Sequence, residues 1–117
     1  YAVFGSAGKR DKEKRHVLGR IASENCDYII LTEEDPRDEA ACDIANQIAL
    51  EIPKESYEFI DNRYEAISKA IAMAKAGDMV LVLGKGDERY LERSKGKESW
   101  MGDEKAAAEI AAKIARV

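Results

Sequence analysis

Met79-Val80-Leu81-Val82-Leu83-Gly84-Lys85-Gly86-Asp87-Glu88 is the stretch that decides the fold. Its first half is an unbroken apolar, β-rich run, which predicts a central strand buried on both faces of a parallel sheet. Its second half carries glycine and charge, placed where the strand must end. In open parallel sheets, ligands bind at the carboxyl ends of the strands.

Two further apolar runs end the same way. Tyr1 to Phe4 runs into Gly5-Ser6-Ala7-Gly8-Lys9-Arg10-Asp11, and Tyr28 to Leu31 runs into Thr32-Glu33-Glu34-Asp35-Pro36-Arg37. Pro36 forbids the second strand from continuing and marks a loop. Helical spacing separates the strands: Val17, Leu18, Ile21 and Ala22, then Ala41, Ile44, Ala45, Ile48 and Ile52 up to Pro53. Tyr57 to Ile60 predicts another short strand. Asn62 and Glu65 have capping-box spacing ahead of a face made by Ala66, Ile67, Ala70, Ile71 and Ala74, and Gly77 fits the helix end. Tyr90 to Glu92 and Glu98 to Trp100 predict a hairpin around Gly96, and a last helix buries Ala107, Ile110, Ala111 and Ile114. Alternating strands and helices imply right-handed crossovers. The expected fold is an α/β, Rossmann-like three-layer domain, its mostly parallel sheet carrying a short antiparallel edge.

The 117 residues suit one domain, and 45% hydrophobic with 36% charged residues is ordinary for a globular protein. A net charge of −4 argues against nucleic acid as a partner. The basic cluster Lys9, Arg10, Lys12, Lys14, Arg15 and His16 is the exception. It suits either an anion or a solvated helix start. No apolar run approaches the roughly 20 residues that span a bilayer, and no signal-peptide pattern is present, so no membrane partner is expected. Cys26 and Cys42 have neither metal-ligand nor disulfide spacing and read as reduced, buried or partly buried thiols of a cytoplasmic protein. A strand pattern already under way at Tyr1 suggests a piece of a longer protein.

Each strand-end island carries a chemical reading beside a plainer one. Glycines between strand and helix let backbone N–H groups approach an anion, although neither G-x-x-x-x-G-K-[ST] nor G-x-G-x-x-G is matched. The plainer reading is a tight turn, and Arg10, whose guanidinium could clamp a carboxylate, sharpens the chemical one. In Glu34-Asp35-Pro36-Arg37 the proline aims Arg37 beside two carboxylates, which suits a zwitterionic ligand or, more plainly, an internal ion pair. Gly86 permits close backbone approach, and Glu88 could accept from an ammonium. His16 reads as a helix-start residue, and Trp100 and the tyrosines as packing.

Taken in order, these segments resemble the C-terminal domain of the Mur ligase family, most like its UDP-N-acetylmuramyl-tripeptide synthetase branch. The matching segments are FGSAGKRDKEKR, CDYIILTEEDPRDE and FIDNRYEAISKAIAMAKAGDMVLVLGKGDERY, with Gly102-Asp103 before the last helix. The resemblance implies a ligase of peptidoglycan precursor synthesis. Such an enzyme uses ATP and Mg²⁺ to phosphorylate a UDP-muramoyl peptide's carboxylate, and an amino acid's amine then attacks the acyl phosphate. The nucleotide, metal and catalytic chemistry would lie mainly in upstream domains of the same chain, so no catalytic or metal-binding residue is expected here.

The same resemblance implies that Arg10, Glu34, Asp35, Pro36, Arg37, Gly86 and Glu88 bind the incoming amino acid. Arg10 and Arg37 would hold a carboxylate, and Glu88 with the Gly86 backbone would meet the distal ammonium. Glu34-Asp35 replaces Asp-Asn of the D-N-P-R loop, and Asp87 replaces the histidine of G-K-G-H-E. The added negative charge favours a cationic group nearby and leaves meso-diaminopimelate, L-lysine and other diamino acids open. A folylpolyglutamate-synthetase-like ligase domain and a non-catalytic Rossmann-like binding module remain as alternatives.

Overall fold

The computed structural model describes every residue except Ala7, Lys9, Arg10, Asp11, Arg116 and Val117. Strands β1 (Ala2–Phe4), β2 (Ile29–Leu31), β3 (Tyr57–Phe59) and β4 (Leu81–Val82) form one parallel sheet in the order β3-β2-β1-β4. Helices α1 (Glu13–Asn25), α2 (Ala41–Ile48) and α3 (Arg63–Met73) supply the crossovers. The chain then forms a hairpin of β5 (Tyr90–Arg93) and β6 (Gly96–Ser99) and closes with α4 (Asp103–Ala115). A Rossmann-like α/β layering is therefore present as expected.

Side-chain alternation along the short strands divides the core in two. Ala2, Phe4, Ile29 and Leu31 face α1 and α2, meeting Ala22, Ile44, Ala45 and Ile48. Val3 and Ile30 point the other way, into Ala66, Ile67 and Ala70 of α3 and Ala106 and Ile110 of α4. Each large aliphatic side chain so buried contributes about 1.5–3 kcal/mol. The α3 start follows its sequence signal, with the Asn62 side chain accepting a 3.0 Å hydrogen bond from the Glu65 N–H.

Several expectations are corrected. The Met79–Leu83 run is not the central strand: only Leu81–Val82 pairs, at the sheet edge beside β1. Register matches Ala2 with Leu81 and Val3 with Val82, so Val82 packs into the α3–α4 core while Leu81 lies on the α1–α2 face. Those helices pack over β1 to β3, and Leu81 and Leu83 stay 43% and 47% exposed. On α1 the buried residues are Arg15, Gly19 and Ala22, and Ile21 is exposed. On α4 Ala106 and Ile110 are buried, whereas Ala111 and Ile114 face solvent. Cys26 is half-buried as expected, but Cys42 is exposed, and both are free thiols. The β5–β6 hairpin is a two-stranded sheet of its own, tied to the rest by the Arg37–Arg93 bridge.

Candidate functional site

The sheet order makes β2, β1 and β4 neighbours, so their three carboxyl ends open side by side. Direct bonds join the loops that follow. The Gly8 N–H donates to the Asp35 carbonyl at 2.8 Å, and Arg37 Nη1 donates to the Gly8 carbonyl at 2.8 Å. Gly8 is required there, because a Cβ would overlap the Pro36 carbonyl. Arg37 itself adopts φ 55°, an uncommon left-handed conformation for a non-glycine residue. Its backbone N–H reaches the Glu92 carbonyl at 2.8 Å, which fixes the loop against the hairpin.

The third loop is attached by charge. Lys85 is 2% exposed, and its ammonium lies 2.8 Å from both Asp35 Oδ1 and Glu88 Oε1. Burial would lower the Lys85 pKa, but the hydrogen bonds it donates to Asp35 and Glu88 more than reverse this, so it is raised. Asp35 Oδ1 also accepts from the Glu92 N–H at 2.9 Å. The negative charge introduced by Asp35 is thus met by the protein's own Lys85. The Glu88 carboxylate is held at its other oxygen by the Tyr90 hydroxyl, 3.1 Å away. Lys85 and then Tyr90 keep the Glu88 pKa below the usual carboxylate range.

Beneath the loops lies a second buried cation. Arg63 forms a bidentate pair with Asp103, both bonds at 2.8 Å, and donates to the carbonyls of Glu33 at 2.8 Å and Leu83 at 3.0 Å. The two carbonyls belong to the residues just before Glu34 and Gly84, so one guanidinium sets the spacing of both loops. Glu33 is buried against Arg93, 2.6 Å away, and accepts from the Arg63 backbone N–H at 3.2 Å.

A cavity of about 800 Å³ runs from these loops along α1. Ser6, Lys14, Glu34, Asp35, Arg37 and Gly84 line its polar end, and Leu18, Ile21 and Ala22 line the apolar remainder. Glu34 is the carboxylate that sits against Gly84, where a Cβ would overlap its Oε1. Burial, with help from the Asp35 charge, raises the Glu34 pKa to about 7, while Arg63, Lys85 and Lys14 oppose the shift.

Of the residues expected to form the site, Glu34, Asp35 and Arg37 line the cavity at the strand ends, while Glu88 is joined to Asp35 through Lys85 and, like Pro36, is not among the lining residues. Gly86 lies in the same loop as Lys85, with open space around its Cα and φ 57°. Arg10 lies outside the described residues, as do Lys9 and Asp11. Within the basic cluster, Arg15 is an internal residue, fully buried and bound to Glu39 at 2.7 and 3.0 Å and to Gln47 at 3.0 Å. His16, Lys12 and Lys14 are exposed. Trp100 packs as expected and donates to Asp103 at 3.1 Å. Arg63 and Lys85 support the site without being among the residues that the sequence singles out. A signal for Arg63 existed, since Arg63, Ala66, Ile67 and Ala70 share one helical face. Lys85 sits between two glycines and has no such periodicity.

A family model described as "Mur ligase, glutamate ligase domain" matches residues 1–86. A UDP-N-acetylmuramyl-tripeptide synthetase of Borreliella burgdorferi is 52% identical over 91 residues, 74% of this chain and 18% of the relative. A UDP-N-acetylmuramoyl-L-alanyl-D-glutamate–2,6-diaminopimelate ligase of Aquifex aeolicus is 48% identical over 92 residues, 78% of this chain and 19% of the relative. A solved structure of a ligase bearing that same diaminopimelate name superposes with a TM-score of 0.84 at 31% identity, covering 97% of this chain and 24% of its own. The chain therefore spans about a fifth of the length of the curated relatives it matches.

Proposed function

Because the chain belongs to the Mur ligase family, through its glutamate ligase domain, we propose that it is the C-terminal, amino-acid-binding domain of a longer ATP-dependent ligase. The reaction adds a diamino acid, meso-diaminopimelate or L-lysine, to a UDP-N-acetylmuramoyl dipeptide in cytoplasmic peptidoglycan precursor synthesis. ATP and Mg²⁺ are held mainly by other domains of the longer protein, and this domain presents the amine. On this reading the 117-residue chain by itself is expected to turn over no substrate.

The observation that supports this reading most is the direct bonding of three loops at adjacent strand ends, through Gly8, Asp35, Arg37 and Lys85. Opposite charges are presented there within one polar mouth, as a zwitterionic ligand requires. Arg10 and Arg37 are assigned to a ligand carboxylate, with Glu34, Asp35 and Pro36 shaping the loop around it. Glu88 and the open Gly86 backbone are assigned to the distal ammonium.

Arg37→Ala in the full-length enzyme tests the assignment. Loss of a bidentate charged contact is expected to raise the amino-acid KM by roughly 10²-fold while leaving the ATP KM in place. An unchanged amino-acid KM would refute it.

A further inference from the structure

We propose that Tyr90 is a positioning residue for amino-acid binding, acting through Glu88 by fixing the carboxylate oxygen that Lys85 does not hold. The inference rests on the reading of Glu88 as the contact for the ligand's ammonium, and extends it to a residue outside the loops that carry the family resemblance's binding positions.

Glu88 lies on a loop, and its side chain is 41% exposed. A carboxylate so exposed, on a flexible stem, would sample many rotamers. Losing that freedom on binding would weaken affinity, because ordering a rotamer-rich side chain opposes association. In this protein the freedom is already removed. Lys85 Nζ holds Oε1 at 2.8 Å, and the Tyr90 hydroxyl donates to Oε2 at 3.1 Å. With one internal donor on each oxygen, the carboxylate plane is set, and each oxygen keeps acceptor capacity beyond that one bond for a ligand ammonium.

Tyr90 is itself placed by the fold. It is the first residue of β5, paired with Ser99 of β6. The Lys85 and Lys97 ammoniums lie 4.3 and 4.4 Å from its ring centroid. Lys85 thus contacts both the carboxylate it orients and the ring that orients the other oxygen. Glu88 raises the Tyr90 pKa, chiefly through their hydrogen bond, so the phenol keeps its proton and remains a donor. The charged and titratable groups around Glu88 are Lys85, Tyr90 and Asp35. The first two favour its ionised form, and Asp35 opposes it.

The test uses the full-length ligase and three variants: Tyr90→Phe, Glu88→Gln and the double variant. Tyr90→Phe deletes only a hydroxyl and keeps the ring between its lysines. It is expected to raise the amino-acid KM by roughly fivefold to tenfold, with kcat and the ATP KM little changed. Removing the Tyr90 bond also lets the Glu88 pKa rise, so the acid limb of amino-acid kcat/KM moves to higher pH. Glu88→Gln is expected to raise the same KM by more, and adding Tyr90→Phe to it should change nothing further. An unaltered KM in Tyr90→Phe beside an impaired Glu88→Gln overturns the proposal and leaves the binding reading standing. A normal KM in Glu88→Gln overturns both. A parallel loss in kcat and every KM assigns Tyr90 to stability and likewise overturns its positioning role.

Discussion

Replacing Asp103 with alanine strands the guanidinium of Arg63, which is fully buried, without its two 2.8 Å carboxylate bonds. The carbonyls of Glu33 and Leu83 remain, but neither carries a full charge. Removing one partner of a buried ion pair costs about 3–5 kcal/mol, because the surviving charge has lost its compensation. Against a total stability of about 5–15 kcal/mol, that is a third or more of the margin in most cases. With a urea slope of about 1–3 kcal/mol per molar, the unfolding midpoint should fall by roughly 2 M, read by circular dichroism. Replacing both partners, as Arg63→Met with Asp103→Leu, should cost much less than the two single changes summed, since no buried charge is left. Glu109→Ala is the control: it removes an exposed 3.2 Å pair with Lys113 and should cost less than about 1 kcal/mol. An Asp103→Ala variant within about 1 kcal/mol of the parent would refute the argument that this pair anchors the loops.

Glu34 gives a pH prediction. Its pKa of about 7 in the fold, against 4.5 for the free group, means the native state holds the extra proton. Stability from this group therefore falls as pH rises between those values, by at most about 3 kcal/mol. Glu34→Gln should remove that slope from urea midpoints measured at pH 5 and pH 8, and an identical slope in the variant would contradict the assignment. Gly84→Ala should cost about 2 kcal/mol, because φ is 106° and the new Cβ would overlap Glu34 Oε1. Adding Glu34→Ala should recover only the part due to overlap, and complete recovery, read as Tm, would show that the backbone carries no strain there.

Much of this architecture was legible because the signals were local. Phe4 and Val3, one residue apart, belong to different cores by alternation alone, and the Asn62–Glu65 cap is written within four positions. The strand-end loops could be placed because chain order, right-handed crossovers and a parallel sheet together dictate where they lie. The long-range ion pairs were not legible. Arg63 finds Asp103 40 positions away, and Lys85 finds Asp35 50 positions away, with no spacing rule to join them. For the same reason Asp35 looked like surplus negative charge, although Lys85 meets it. Met79 to Leu83 was misplaced because an apolar run reports β preference, and not how many neighbours a strand will have. The Leu81 face is covered by neither α1 nor α2, and composition does not encode that.

The most direct test of the account is ADP release by the full-length protein given ATP, Mg²⁺ and UDP-N-acetylmuramoyl dipeptide. Meso-diaminopimelate, L-lysine, L-ornithine and D-glutamate would be supplied in turn. Release that depends on one diamino acid, and falls on Arg37→Ala, is the predicted result. A folded protein that binds ATP but releases no ADP with any of the four would contradict the central claim.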